Sequence, residues 1–284
     1  MQSSIFTAIF LPLVLASIMF GMGLSLQVKD FARLARLPKP IFIGIVGQVL
    51  FLPALAFSIA VLFNAPKEVA IGMMVLAACP GGSTSNLLSH LAKANLALSI
   101  SLTAITTVIC VFTTPFLIAF SINYFAQGEP AQFSLLATSL GLIIITLLPV
   151  AVGMLTRHRY VSVALKLEPI FRKLSILFML LLILKICFDE RDMLINGFPD
   201  LYMFTISLNI LATLMGLFLA KLFLLNNKDC LTIGIEVGTQ NAALAILIAV
   251  TFIKEPAYAI IAGGYGLVMY VGAALLVFYA KKRS

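Results

Sequence analysis

The stretch PGGSTSN, Pro80 to Asn86, interrupts a segment that otherwise has the hydropathy of a membrane helix. A second interruption, EVGTQN, lies far downstream at Glu236 to Asn241. In the hydrocarbon region of a bilayer, an unpaired backbone N–H or C=O costs several kcal/mol, so unwound backbone persists only where it lines a cavity or binds a ligand. Two such breaks therefore indicate a binding site within a membrane.

The composition places the whole chain in the membrane. Of its 284 residues, 62% are hydrophobic and 11% are charged, against about 25% charged in soluble proteins. Long uncharged runs predict an all-α polytopic protein, and the first run is expected to remain as a span because no basic segment precedes it. About nine transmembrane helices are predicted, at residues 5–27, 40–63, 69–91, 95–123, 134–156, 170–188, 199–223, 230–253 and 256–280.

The basic residues predict the orientation. With the amino terminus outside, one side of the membrane carries 15 of the 19 Lys and Arg residues. The positive-inside rule then places the carboxyl terminus in the cytoplasm of a multi-pass protein of the inner (plasma) membrane. This distribution accounts for the net charge of +8 without a nucleic-acid partner. The 15 residues are Lys29, Arg33, Arg36, Lys39, Lys93, Arg157, Arg159, Lys166, Arg172, Lys173, Lys221, Lys228, Lys281, Lys282 and Arg283.

The two interruptions fall in the third and eighth predicted spans, which run in opposite directions. Antiparallel broken helices are typical of transporters built from inverted repeats, in which they cross near the middle of the membrane. The sequence therefore predicts an inverted-repeat core with two crossing discontinuous helices.

Glu236 is the only acidic residue well inside an apolar run, and it is expected to face the bundle interior and to meet a cation or a proton. A hydrogen-bonded structural glutamate is the alternative. Oxygen-bearing side chains near the breaks favour an alkali ion over a transition metal, although Ser99 and Thr103 alone are more typical of helix packing. These side chains are Ser85, Asn86, Ser99, Thr103, Gln240 and Asn241.

Catalytic chemistry is not indicated. The two histidines, His90 and His158, lie near the cytoplasmic ends of spans, and no HExxH motif or second acid at depth accompanies them. The four cysteines are scattered and do not predict a disulfide framework. Gln48 is a lone amide in an apolar span. Such a residue can form an interhelical hydrogen bond or bind a ligand, and the sequence favours neither.

Three motifs carry a resemblance to a known family: MFGMGLSL (Met19 to Leu26), CPGGSTSNLLSHLAKANLALSISLTAITT (Cys79 to Thr107) and IEVGTQNAALA (Ile235 to Ala245). With the span pattern, they resemble the bile acid:sodium symporter family and its bacterial members over nearly the whole chain. The resemblance implies a panel domain, at about residues 1–30 and 130–190, packed against a core domain at about residues 40–125 and 198–284.

The resemblance also implies two sodium ions, both bound at the broken helices. The first sodium site would be formed by Ser85, Asn86, Ser99, Thr103 and Glu236. The second would be formed by Gln48, Glu236, Gln240 and the backbone carbonyls of Val237 and Thr239.

One glutamate shared by two sodium ions leaves a positive site, which predicts an organic anion as the cargo. The predicted function is sodium-coupled symport, importing a bile-acid-like or small organic monocarboxylate by alternating access, with the protein a monomer. Bile-acid-binding bacterial members resemble a pattern with a polar His-Asn pair where this chain has Met269 and Tyr270, so the predicted cargo is a class, an organic monocarboxylate such as a keto, hydroxy or sterol-like acid, and not one compound. The candidate substrate contacts are Ser83, Thr84, Asn241, Tyr265, Met269 and Tyr270.

The sequence is also consistent with a different class of function. A cation/proton antiporter would also use broken helices and Glu236, there as the sole buried carboxylate, and it would release protons on sodium addition without an organic anion. A passive channel or a membrane receptor needs no pair of antiparallel breaks.

Overall fold

The structure, a computed structural model, describes residues 10–126, 133–189 and 191–283. Residues 5–9 of the first predicted span lie outside this part, as do residues 130–132 of the expected panel domain. The described residues form helices and no named strand. The α-helices are α1 (Leu11–Ser25), α2 (Val28–Arg36), α3 (Pro38–Val46), α4 (Leu52–Leu62), α5 (Lys67–Ala78), α6 (Ser83–Leu91), α7 (Leu96–Phe125), α8 (Leu135–Leu142), α9 (Leu148–Arg159), α10 (Val161–Asp189), α11 (Arg191–Leu222), α12 (Asn227–Gly238), α13 (Ala242–Leu247) and α14 (Ala259–Arg283).

The prediction of an all-helical membrane protein is confirmed. By length and composition, five helical stretches among the described residues can cross a bilayer, and two shorter apolar helices, Leu11–Ser25 and Ala242–Ile253, accompany them. Length and hydropathy thus identify five of the nine predicted spans. The five are Pro38–Leu62, Leu96–Phe125, Leu135–Arg159, Leu201–Leu222 and Pro256–Phe278.

The outer surface of the bundle is apolar. Large side chains on several helices point away from the protein, among them Phe42, which is 65% exposed, and Phe116, which is 61% exposed. An apolar surface on this scale would be unfavourable in water and is suited to contact with lipid chains. The protein is therefore an integral membrane protein by its surface as well as by its sequence.

Two spans widen into a π-helical turn immediately before a proline. The first is Gly47–Phe51, followed by Leu52 and Pro53, and the second is Ile143–Leu147, followed by Leu148 and Pro149. Proline has no backbone N–H, so the regular ladder of hydrogen bonds is interrupted at that point. Instead, the N–H of Leu52 reaches back five residues to the carbonyl of Gly47. Turns of this kind are frequent at functional sites, and the first one contains Gln48.

Besides the start of α11 at Arg191, eight residues before the predicted residue 199, the structure corrects two sequence predictions near the helix ends. Helix α10 begins at Val161, nine residues before the predicted start of that span at residue 170, and α2 was predicted as a connector. Both extra segments carry charged residues, so hydropathy alone does not detect them. Helix α2 begins with a capping box, in which the N–H of Gln27 donates to Asp30 Oδ2 at 2.7 Å.

The helices pack in two sets of contacts. Helix α1 packs most extensively against α9 and α10, whereas α5 packs against α7, α4 and α14, and α11 packs against α12 and α14. Glycines allow the closest approaches. A Cβ at Gly23 of α1 would collide with the backbone of Val150 in α9, and one at Gly216 of α11 would lie 2.9 Å from the carbonyl oxygen of Ile233 in α12.

Candidate functional site

Both predicted interruptions are present, and they meet. Residues 79–82 separate α5 from α6, residues 239–241 separate α12 from α13, and both segments contain extended backbone. The N–H of Asn241 donates to the carbonyl of Pro80 at 3.0 Å, and the residues beside them form an antiparallel β-bridge. The two segments, here called the crossover, satisfy part of their backbone hydrogen bonding through each other.

The bridge pairs Gly81 with Gln240. It also brings the first segment against the carboxylate of Glu236, since a Cβ added at Gly81 would lie 2.7 Å from Glu236 Oε1. No real Cβ fits at that distance from a carboxylate oxygen. Glycine at position 81 therefore allows the backbone to approach the acid this closely without displacing the carboxylate.

The carboxylate of Glu236 is 1% exposed and is surrounded by hydroxyl groups. Ser99 Oγ donates to Oε2 at 2.9 Å, and Thr103 Oγ1 donates to Oε1. Asn86 Oδ1 lies 2.9 Å from Ser99 Oγ, and Ser85 Oγ lies 3.4 Å from Thr103 Oγ1. The structure thus brings together all five residues of the first expected sodium set. Each of these five side chains carries an oxygen atom that can bind a cation, and oxygen is the ligand that hard cations prefer.

Within the described residues, Glu236 makes no salt bridge. An ionised carboxylate buried without a counter-charge is strongly unfavourable, and neutral hydroxyl donors compensate only part of this cost. The site therefore requires a bound cation or a proton.

Glu236 is not the sole buried carboxylate, and that expectation was wrong. Asp30 is 3% exposed and Asp229 is 4% exposed. Both lie in the first turn of a helix, where side-chain partners satisfy them: Arg33 at 2.8 Å for Asp30, and the amide of Asn95 at 2.7 Å for Asp229. Both residues lie near a charged connector, where an acidic residue is expected to be exposed, so the sequence did not indicate that they are buried. Of the three carboxylates, only Glu236 lies at the crossover.

Three residues that sequence analysis missed hold α7 against α12. Asn95 caps α7, and its amide donates to Asp229 Oδ1, while the N–H of Asn95 donates to Thr232 Oγ1 at 2.9 Å. Asn95 lies one turn before Ser99, and Thr232 lies one turn before Glu236. The same two helix faces thus carry the supporting contacts and the hydroxyl–carboxylate contacts. The spacing of four residues from Ser99 and from Glu236 was the signal that could have revealed Asn95 and Thr232.

A pair of amides forms the second part of the site. Gln48 and Gln240 are each 1% exposed. Gln48 Nε2 donates to Gln240 Oε1 at 2.7 Å and to the carbonyl of Cys79 at 3.2 Å, while Gln240 Nε2 donates to the carbonyl of Val237 at 2.8 Å. The carbonyl oxygen of Thr239 lies near Gly81, since a Cβ added at that glycine would be 3.6 Å from it. Gln48, Gln240 and the Val237 carbonyl of the second expected sodium set thus contact one another, while Glu236 and the Thr239 carbonyl both lie beside Gly81.

A small cavity of about 50 Å³ opens beside the crossover. Four of the six predicted substrate contacts line it: Thr84, Asn241, Met269 and Tyr270. Asn241 also caps α13, because its Oδ1 accepts from the N–H of Leu244 at 3.1 Å. The side chain of Ser83 lies outside the described part of the structure.

Tyr265, the remaining candidate, is placed elsewhere. It is fully buried, and its hydroxyl donates to the carbonyl of Gly238 at 2.9 Å. Asn209 Nδ2 donates to the same carbonyl at 2.9 Å. These two side chains, from α14 and α11, fix the last carbonyl of α12 next to the crossover. Sequence analysis missed Asn209, a lone amide in an apolar span of the same kind as Gln48.

Replacing Tyr265 by phenylalanine is expected to lower thermal stability and to weaken ion binding. The change removes one hydrogen bond and leaves Gly238 with a single donor, a loss of about 1 kcal/mol. Thermal unfolding at a series of sodium concentrations measures both effects. Tyr258→Phe is a matched control, because Tyr258 is likewise buried but belongs to the turn before α14. Equal sodium titrations for wild type and Tyr265→Phe would contradict the assigned role.

Fold and site together define a class: a polytopic helical membrane protein with an oxygen-lined ion site between two interrupted helices. The sequence model of the Sodium Bile acid symporter family matches residues 12–197. The chain belongs to this family, which is a family of transporters and not of enzymes.

Individual relatives agree with this membership. The chain is 30% identical over 248 residues to an uncharacterized sodium-dependent transporter of Bacillus subtilis, YocS, covering 87% of this chain and 76% of the relative. It is 26% identical over 258 residues to the ileal sodium/bile acid cotransporter of Oryctolagus cuniculus, covering 89% and 72%. It is 26% identical over 270 residues to the probable sodium/metabolite cotransporter BASS2 of Oryza sativa, covering 95% of this chain but only 63% of that relative's length.

Proposed function

We propose that this protein is a secondary transporter that couples the movement of two sodium ions to the import of an organic anion by alternating access. The observation that carries the proposal is the buried carboxylate of Glu236, held at the crossover by Ser99 and Thr103 and lacking a salt bridge within the described residues. Sodium supplies the missing positive charge. The names of the relatives, which specify sodium with a bile acid or a metabolite, support the same proposal.

The two sodium ions would flank the carboxylate. One would take the hydroxyl and amide oxygens of the first set, around Ser99 and Asn86, and the other the amide oxygens of Gln48 and Gln240 with the carbonyls of Val237 and Thr239. For the second ion, the Gln48 amide would rotate, because its nitrogen now faces Gln240 Oε1. Two positive charges around one carboxylate leave a net charge of +1. An anionic cargo balances that charge, so cargo binding and ion binding support each other.

Nine crossings, an inverted repeat and a division into panel and core complete the proposed architecture. The contacts of α1 with α9 and α10 support a panel, and the contacts among α4, α5, α7, α11, α12 and α14 support a core. The amino terminus would be outside and the carboxyl terminus in the cytoplasm, as the basic residues predict. Motion of the core against the panel would expose the crossover cavity to each side in turn.

Sodium-dependent stabilisation is the direct test of this function. Purified protein is expected to unfold at a higher temperature in sodium chloride than in choline chloride, and carboxylates are expected to add to this effect in sodium only. Uptake into proteoliposomes then measures coupling, with an inward sodium gradient as the sole driving force. Proton release on sodium addition in weakly buffered solution, without any effect of carboxylates, would instead establish cation/proton antiport.

A further inference from the structure

A second and larger cavity lies next to the crossover cavity. It has a volume of about 360 Å³ and lies between α1, α6, α7, α9 and α10. Its polar lining includes Arg157 near the end of α9, Glu168 and Arg172 on α10, and Asn86 and His90 on α6. This cavity is called the arginine chamber below. None of the site residues predicted from the sequence, apart from Asn86, belongs to it.

The arginine chamber continues the seam in which the crossover cavity lies. Helix α6 contributes Thr84 to the crossover cavity and His90 to the chamber, and α10 contributes Ser175 to the first and Glu168 to the second. At 1.5 Å per residue, these pairs are separated by about 9 and 10.5 Å along their helices. Helix α1 also lines both cavities. The two cavities share no lining residue, but they lie along the same three helices, α1, α6 and α10.

The two volumes differ in what they can hold. The crossover cavity, at about 50 Å³, has room for little more than a carboxylate group. The arginine chamber, at about 360 Å³, lies at the lower end of the range of roughly 300–1,000 Å³ that small-molecule sites occupy. A small organic acid fits such a volume, whereas a sterol-sized acid does not fit comfortably.

The charges of the chamber favour an anion. Two arginines face one glutamate, so the lining carries a net charge of +1 when His90 is neutral. Arg172 lies 3.7 Å from Glu168, and both side chains are partly exposed, so their ion pair is weak. Arg157 makes no salt bridge within the described residues. Guanidinium groups bind carboxylates through paired hydrogen bonds, and one of the two here has no acidic partner.

We propose that the arginine chamber is a binding station for the transported anion, with Arg157 and Arg172 as its carboxylate ligands, and that the cargo is a small organic acid. The inference rests on the proposed function for the statement that the bound anion is the cargo. The chamber's selectivity for anions does not depend on sodium or on transport, so it is tested separately. The headgroup of an acidic phospholipid presents similar chemistry, and the experiment distinguishes this source.

The test measures the electrostatic potential of the chamber with charged thiol reagents. Ser25 lines the chamber, and Ser25→Cys introduces a small reactive group there. The background carries Cys187→Ser, and the other three cysteines are buried. Labelling rates are compared for a methanethiosulfonate bearing a sulfonate and one bearing a quaternary ammonium, each normalised to its rate with free cysteine. We expect the anionic reagent to be favoured.

Neutralising an arginine should reduce that preference. If a unit charge lies about 8 Å from the thiol in a water-like dielectric, Coulomb's law gives a change in the anion-to-cation rate ratio of about sixfold. Arg157→Gln and Arg172→Gln are each expected to lower the ratio by that amount, while Arg157→Lys retains it. Lys166→Gln is the matched control, since this exposed charge on α10 lies outside the chamber lining. A ratio insensitive to both arginine variants, or equally sensitive to Lys166→Gln, would overturn the proposal.

Protection of the same cysteine identifies the ligand. Succinate is expected to slow labelling of Ser25→Cys, and this protection is expected to be lost in Arg157→Gln, whereas cholate is expected to give none. Protection by cholate alone would overturn the size assignment, and protection by neither acid would overturn carboxylate binding. In nanodiscs, protection by phosphatidylglycerol that requires both arginines would show a lipid site instead.

Discussion

Glu236→Gln is expected to abolish the rise in unfolding temperature that sodium produces in the wild-type protein. Glutamine has nearly the same shape, but it carries no charge, and its single amide oxygen can accept the hydrogen bond of only one of the two hydroxyls, Ser99 or Thr103. Both proposed sodium ions share the carboxylate, so both lose their anionic ligand. At a sodium concentration ~100 times the dissociation constant, the stabilisation lost is about 2.7 kcal/mol, which corresponds to several degrees.

Thermal unfolding in sodium chloride and in choline chloride measures this effect. In choline, Glu236→Gln is expected to be at least as stable as wild type, because the change removes a buried charge that lacks a salt bridge. Asp30→Asn is the matched control: it neutralises another buried carboxylate, on α2, that lies away from the crossover. That variant should be less stable in both salts and should keep the sodium increment. Full sodium-dependent stabilisation in Glu236→Gln would exclude the proposed ion site.

Gly81→Ala is expected to have the second largest effect. The added Cβ would lie 2.7 Å from Glu236 Oε1, so either the carboxylate or the first segment of the crossover must move. Overpacking of this kind typically costs 1–3 kcal/mol. Because the displaced group is the proposed ion ligand, the loss should appear mainly as weaker sodium binding, with at least a tenfold rise in the dissociation constant.

Sodium titrations of thermal stability, followed by sodium-driven uptake, test this prediction. Gly264→Ala serves as the control. There the added Cβ would meet the methyl group of Thr205 at 3.3 Å, far from the carboxylate. Equal losses of sodium affinity in the two variants would mean that general packing, and not the position of Glu236, accounts for the effect. Unchanged sodium affinity in Gly81→Ala would show that the carboxylate can move without consequence.

The parts of the site predicted from sequence are those in which polar residues conflict with their apolar surroundings. Gly81, Glu236 and Gln240 are conspicuous in membrane spans, and each contacts the other interruption or its neighbours in the structure. The cost of burying unpaired polar groups makes such residues informative without any coordinates.

Residues that support the site were less visible. Asp229 and Thr232 lie close to a charged connector, where polar side chains are ordinary, so their residue types alone did not mark them as part of the site. Tyr265 was selected, but as a cavity residue. Its hydroxyl instead donates to the Gly238 carbonyl, a contact that depends on how α14 is rotated against α12. Hydropathy does not specify the rotation of an apolar helix, so the direction of its side chains requires tertiary structure.

The widened turn before Pro53 has a consequence for how ion binding can change during evolution. We expect the extra residue in Gly47–Phe51, which accompanies the missing N–H of Pro53, to determine the direction of the Gln48 amide. A residue that never touches the ion thereby sets the angle of one of its proposed ligands. If a substitution at position 53 restored a regular helix, the Gln48 side chain would be rotated about the helix axis by one residue's step, about 100°, and would no longer point at Gln240. Ion affinity could thus be tuned from more than a turn away, while every coordinating residue remained unchanged.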